Sequence, residues 1–203
     1  MTSPFLNQKG DPVLNAFRQK ISATELARFL YGFTTRRTSG SVVLLGGREK
    51  VWCGDQDRMF LDQARESVAD FDPFRYETEF ECLSFFVSFA ASLQELRPRT
   101  ETALWEIFVN SWLETIANYR LALGMGGVLF IEGSAVGLDD LIQKRMERYS
   151  ETSRESGVEG VAAEFSRLCC GLVNPTLERI GSSLYQERGA ELILTLRSFR
   201  LVG

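Results

Sequence analysis

Apolar residues recur at helical spacing over most of the chain, and this pattern predicts a mainly α-helical protein. The strongest pattern runs from about residue 75 to residue 96, just before Pro98, and a second runs from residue 101 to about residue 123. We expect these two long helices to be antiparallel neighbours joined by a tight connection. The side chains expected between them are those of Phe86, Phe89, Leu93, Phe108 and Trp112.

Shorter periodic segments predict further helices, so the expected fold is a bundle of seven or eight helices in a single domain, residues 11–203. A flexible arm, residues 1–10, is expected before it. The first helix is predicted to start at Asp11-Pro12 and to include Ile21. Ser22 and Glu25 then match the S-x-x-E capping box and predict a second helix to about Tyr31. The other segments with helical spacing are 55–70, 138–153, 158–172 and 176–187.

Three segments show strand-like patterns. Two β-prone runs, 41–45 and 49–53, flank Gly46-Gly47-Arg48 and predict a minor β-hairpin near 41–53. The short apolar run 128–131 fits either a strand or one buried turn. The segment 191–202 fits both patterns; we favour a helix, and as a strand it could extend the hairpin into an antiparallel sheet.

Charge is distributed unevenly along the chain, whose formal net charge is −4. Residues 1–54 carry eight basic and three acidic groups, whereas residues 55–120 carry six and thirteen. Segregated charge of this kind orients encounters between proteins. We therefore predict a partner-binding surface made by acidic residues at helical spacing: Asp62, Glu66, Asp70, Glu77 and Glu81. The predicted basic patch consists of Arg36, Arg37, Arg48 and Lys50.

The chain contains no histidine, which excludes a Ser-His-Asp triad and H-E-x-x-H zinc sites built from this chain alone. We assign no catalytic residue, metal ligand or cofactor. The four cysteines, including the adjacent pair Cys169-Cys170, lack metal-ligand spacing and are interpreted as reduced thiols of a cytoplasmic protein. The start of the sequence does not resemble a signal peptide, and the longest uncharged apolar stretch, 13 residues, is too short to cross a bilayer.

These observations predict a non-enzymatic, cytoplasmic protein-binding protein of the immunity, chaperone or adaptor type, whose partner has a basic surface. One alternative is a Mg²⁺-dependent all-helical phosphohydrolase that uses helix-borne carboxylates, among which Glu106 and Glu114 stand on an otherwise apolar helix. A second alternative is a DNA-binding regulator that uses the basic 36–50 hairpin region. The net negative charge disfavours nucleic acid as a partner. No membrane partner is predicted, and the oligomeric state stays open.

Overall fold

The computed structural model describes residues 18–35, 41–45, 49–53, 55–122, 128–131 and 134–203. Helices make up most of this part of the chain, which confirms the mainly helical class. The helices are α1 (Ala23–Thr35), α2 (Asp55–Ser67), α3 (Pro73–Glu95), α4 (Thr102–Ala122), α5 (Leu138–Cys170) and α6 (Pro175–Arg197). The strands are β1 (Gln19–Ser22), β2 (Ser41–Leu45), β3 (Glu49–Cys53), β4 (Val128–Ile131), β5 (Ser134–Gly137) and β6 (Phe199–Val202). The predicted arm, residues 1–10, lies outside these residues.

Six helices are assigned in the described part of the chain, which does not match the seven or eight that we predicted. One reason is that the segments predicted as separate helices, 138–153 and 158–172, are counted together as α5. This element consists of two helical stretches that meet at a kink at Gly157, where φ is 65° and ψ is −148°. Glycine accepts this left-handed φ because it has no Cβ. The helix therefore changes direction there without the loop that we expected.

The second reason is that residues 19–22, where the first predicted helix should end, form strand β1 instead. It pairs in parallel with β6, and Ile21 lies opposite Leu201. Both side chains are buried against the helices. Residues 191–197 are helical, as favoured, but residues 199–202 form β6, which joins β1 and not the 41–53 hairpin. Tertiary pairing has decided the structure where local preference was ambiguous.

The predicted capping box and the predicted hairpin are confirmed. The Ser22 and Glu25 backbone amides each donate to the other residue's side chain, over 2.9 Å and 3.3 Å, so the capping box forms at the start of α1. Asn174 caps α6 by accepting from the Thr176 amide over 2.8 Å, and Pro175 follows it. The 41–53 hairpin is antiparallel with Ser41 opposite Cys53. A second hairpin pairs the 128–131 run, β4, with β5.

The core surrounds helix α3, which packs against α5 and α6. Its Phe86 ring lies 5.5 Å from the ring of Tyr149 on α5 and 6.2 Å from that of Tyr185 on α6. Phe86 therefore faces these helices and not α4. At the contact between α5 and α6, a Cβ added to Gly181 would lie 3.4 Å from the Cβ of Ala162, so the two backbones approach closely.

Helix α4 contacts α3, as predicted, but α3 is not its main packing partner. It packs mainly against α1, whose Leu26, Ala27 and Leu30 are fully buried. Helix α3 contacts α4 through aromatic side chains, such as the edge-on pair of Phe85 and Trp112 at 5.7 Å. Of the five side chains expected between the long helices, Phe86, Phe108 and Trp112 are buried and Phe89 is half-buried. Leu93 is 45% exposed, so its assignment to the core is wrong.

None of the helices in the described ranges combines the length and apolar character that crossing a membrane requires.

Candidate protein-binding surfaces and a buried ion pair

The acidic residues predicted as a binding surface occupy two helices and the turn after α2. Asp62 and Glu66 on α2, and Asp70 just after it, are exposed; we call these three the acidic face. Within the described residues none of the three is in an ion pair. Glu81 is half-buried on α3, and the side chain of Glu77 lies outside the described part.

Helix α2 is fixed by its opposite side, and this is why the acidic face points outwards. Phe60 is fully buried and stacks on Tyr76 of α3, with ring centroids 5.3 Å apart. The Tyr76 hydroxyl donates to the Asp57 carboxylate over 2.7 Å. Leu61 and Ala64 complete the buried side. Asp62 and Glu66 lie on the other side of the helix and are exposed.

The predicted basic patch falls largely outside the described residues. Arg36, Arg37 and Arg48 all lie beyond them. Lys50 lies in β3, where its backbone is opposite that of Leu44.

The outward side of α4 exposes both apolar and acidic side chains. Ile107 is 53% and Leu113 is 59% exposed, and Glu106 and Glu114 beside them are also exposed. The helix has no basic residue from Thr102 to Tyr119. We call these four residues the α4 face. Exposed apolar side chains with a polar rim are typical of sites where proteins bind each other.

Sequence reasoning missed a buried ion pair between Glu79 on α3 and Arg145 on α5. Arg145 Nε donates to both Glu79 carboxylate oxygens, over 2.8 Å and 3.1 Å, and a terminal guanidinium nitrogen donates over 2.7 Å. The Glu79 side chain has no exposed surface. Burial alone would lower the pKa of Arg145, but the hydrogen bonds and the charge of Glu79 outweigh it and raise that pKa. The pair joins α3 to α5 inside the protein.

The helical pattern did contain a signal for this pair. Glu79 lies four residues before Leu83, on the apolar side of α3, whereas the residues that we selected were its neighbours Glu77 and Glu81. Arg145 lies four residues after Leu141 and four before Tyr149 on one strip of α5. All three strip residues are buried. Opposite charges on the apolar sides of two helices would have predicted their pairing.

Tyr149 and three thiols lie in the same part of the interior. Burial raises the pKa of Tyr149 well above its usual value, and the charge of Glu79 adds to the shift. Its hydroxyl is buried without a hydrogen-bond partner in the described structure. Cys82, Cys169 and Cys170 are free and buried. Burial raises the pKa of Cys170 to about 11 and those of Cys82 and Cys169 well above normal, so these thiols are poor nucleophiles.

Across the described ranges, no group of three or more Cys, Asp or Glu side chains is placed to hold a metal ion. Glu106 and Glu114, the carboxylates considered for Mg²⁺, project from α4 into solvent. Comparison with models of protein families, with curated proteins and with solved structures found no match to this chain.

Proposed function

We propose that this protein is a non-enzymatic, cytoplasmic protein-binding protein of the immunity, chaperone or adaptor type. The acidic face and the α4 face are the surfaces that would receive a partner. Both are exposed and both carry carboxylates, so the partner surface should be basic. The cytoplasmic location is supported by the three buried free thiols, since unpaired cysteines are typical of reducing compartments.

The observation that carries the proposal is the exposure of Ile107 and Leu113 between Glu106 and Glu114. A helix face that contacts only solvent is expected to be polar, because leucine and isoleucine side chains have a higher free energy in water than in an apolar environment. On a binding face, burying their area against a partner contributes roughly 25 cal/mol per Å² of apolar surface. The flanking carboxylates would orient a basic partner and speed its association.

The acidic face supports the same class of function through charge. Asp62 and Glu66 lie four residues apart on α2, so they project together, and a like-charge pair at this helical spacing is destabilising by roughly 0.2–0.5 kcal/mol. A basic partner would relieve that repulsion. Arg58 and Arg65 are the bases of α2, and both are exposed on the same helix.

The test is capture of partners from the native host with matched bait variants. Ile107→Ser/Leu113→Ser should reduce the amount of the specific partner by at least about tenfold, while stability changes by less than about 0.5 kcal/mol, as for surface substitutions. Reversal of Asp62, Glu66 and Asp70 to Lys should slow association and weaken its salt dependence. The control is reversal to Lys of another exposed set at identical spacing, Glu147, Glu151 and Glu155 on α5.

Each outcome separates the candidates. A partner retained equally by the serine variant and by the wild type would exclude the α4 face, and absence of any specific partner would contradict the binding function. Equal loss with the Glu147, Glu151 and Glu155 control would show that total charge matters and not a particular surface. A rise in melting temperature with added Mg²⁺ would favour the alternative of a Mg²⁺-dependent phosphohydrolase, because an ion that binds the native state stabilises it.

A further inference from the structure

Helix α5 folds back on itself at Gly157. Arg148, nine residues before this glycine, forms an ion pair with Glu164, seven residues after it. In a continuous helix, residues sixteen positions apart would be separated by about 24 Å, which is more than the two side chains can span. The stretches 138–156 and 158–170 therefore lie side by side as a helical hairpin.

The two stretches are in close contact beside the tip of this hairpin. A Cβ added to Gly160 would lie 2.9 Å from Thr152 Cγ2 and 3.1 Å from the Thr152 carbonyl oxygen, so the two backbones approach closely there. The tip itself lies at the surface, because Glu155, Ser156 and Gly157 are all exposed. The chain thus reverses its direction outside the core, at the edge of the molecule.

The reversal depends on the backbone angles of one residue. Gly157 has a left-handed φ of 65°, whereas the residues on both sides of it belong to helical stretches. Helical angles at this single position would therefore make α5 one continuous helix. Straightening would also pair two sets of backbone groups that have no intrahelical partner at such a junction, namely the last carbonyls of 138–156 and the first amides of 158–170.

We propose that α5 straightens at Gly157 when two copies of this chain associate, and that the copies then exchange residues 158–203 to form a dimer. The exchanged part of each copy takes, against the other copy, the place that it has in the monomer. The Arg148–Glu164 pair and the parallel pairing of β1 with β6 would then form between the two chains. An exchange of this kind is a low-cost route to a dimer, because the same contacts are made in both forms. The exchange does not depend on the proposed binding surfaces, so the two proposals are tested independently.

The residues of the tip oppose the straight form. Glu155 and Glu159 lie on either side of Gly157, and in a continuous helix these two like charges would be neighbours four residues apart. Residues 152–157 also contain serine, threonine and glycine, which are weaker helix formers than alanine. The equilibrium between the bent monomer and the straight dimer should therefore respond to substitutions at the tip.

The first test is Gly157→Ala, with the dimer fraction measured by sedimentation velocity. Alanine is strained at a positive φ and is the best helix former, so this change disfavours the bend and favours the continuous helix. Each dimer contains two such positions, so a tenfold effect at each raises the dimerisation constant by about a hundredfold. The matched control is Gly171→Ala, since Gly171 also has a positive φ, 71°, but Pro175 disfavours a continuous helix there. This control should lose stability and stay monomeric.

The second test changes the charge of the tip without straining the backbone. Glu155→Lys replaces repulsion from Glu159 in the straight helix by attraction, and should raise the dimerisation constant by about tenfold. Glu147→Lys makes the same change in net charge at an exposed position within the first stretch. Its helical neighbours are the same in both forms, so this control should dimerise no more than the wild type.

A mixture of two variants distinguishes an exchanged dimer from a dimer that forms through surface contacts. Arg148→Glu and Glu164→Arg each place like charges together within the monomer, but an exchanged dimer of one chain of each kind restores both ion pairs. The two chains, refolded together from urea at high protein concentration, should therefore form mainly heterodimers, which native mass spectrometry counts. Each variant refolded alone is the control and should give fewer dimers.

Three results would overturn the proposal. One is a Gly157→Ala protein that folds and stays monomeric, like Gly171→Ala. Another is a dimer fraction for Glu155→Lys that does not exceed the one for Glu147→Lys. The third is a mixture of Arg148→Glu and Glu164→Arg chains in which heterodimers are no more abundant than random association gives, because surface contacts do not restore the ion pairs.

Discussion

Helix α3 carries a carboxylate–arginine pair near each end, and the two pairs differ in environment. Near the start, Glu79 is fully buried and the side chain of Arg145 is 9% exposed. At the end, the side chain of Glu95 is 14% and that of Arg197 is 59% exposed. The buried pair has three hydrogen bonds of 2.7–3.1 Å, whereas the exposed pair has two of 3.2 Å.

This difference decides what each pair contributes. Charges in the interior attract each other strongly, but both have lost their hydration, so the net stabilisation by the intact pair is small. Removal of one partner is costly, because it leaves an unpaired charge in the interior. Exposed charges are surrounded by water and ions, and such a pair contributes between about 0 and 1 kcal/mol. Glu79 and Arg145 therefore join α3 to α5, whereas Glu95 and Arg197 make an exposed contact between the ends of α3 and α6.

The largest expected effect follows from removal of one buried partner. Arg145→Met leaves the Glu79 charge without a partner in the interior and should destabilise the protein by about 3–5 kcal/mol. For a chain of this length the melting temperature should fall by roughly 2–4 °C per kcal/mol. Thermal and urea unfolding measure both quantities.

The double variant Glu79→Met/Arg145→Met is the control. It removes both charges, keeps much of the side-chain volume, and should recover most or all of the lost stability. A double variant as unstable as the single one would contradict our interpretation, because it would show that the interior requires the pair itself.

The parts of the fold that could be predicted from sequence are those set by neighbouring residues. The capping box at Ser22 and Glu25, the Asn174-Pro175 helix start and the 41–53 hairpin each depend on a few adjacent positions. The pairing of β1 with β6 was not predictable in this way, because it joins opposite ends of the described chain and Ile21 alone fits a helix or a strand. The α1–α4 contact was missed because periodicity shows which face is buried but not against which element.

The same limit applies to the candidate surfaces. The acidic face was predicted because its three carboxylates lie on one short segment, and the structure exposes all three. The hydrogen bond from Arg99 to the Leu196 carbonyl was not predictable, because the two residues are far apart in sequence and meet only after folding. Contacts of this kind require the tertiary structure, whereas periodic faces do not.

An ion pair of intermediate exposure tests whether the stability lost on removing one partner increases gradually with the burial of the pair. Glu164 accepts two hydrogen bonds of 2.9 Å from Arg167 and also pairs with Arg148. Burial raises the pKa of Glu164, but the hydrogen bonds from Arg167 and the nearby arginine charges outweigh it and lower that pKa below the usual 4.5. Glu164→Gln should therefore destabilise the protein by about 1–2 kcal/mol at neutral pH, as expected for hydrogen bonds to a charged group.

The pH dependence provides the check. A carboxylate whose pKa is lowered by folding stabilises the protein above its unfolded pKa, and this contribution is lost as pH falls through the folded pKa. The stability difference between wild type and Glu164→Gln should thus be constant above about pH 5.5 and shrink below pH 4.5. A difference that is independent of pH from neutral to acid would show that the carboxylate charge is not involved.

The smallest effect on stability is expected for Glu95→Gln. The pair with Arg197 is exposed, so its loss should destabilise the protein by less than about 1 kcal/mol, and by less still at about 1 M salt, where the screening length is near 3 Å. Urea unfolding at low and at high salt measures both changes, with Glu147→Gln, at an exposed position of α5, as the control. A loss of stability as large as that of Glu164→Gln, or one that persists at high salt, would contradict the dependence of ion-pair strength on burial.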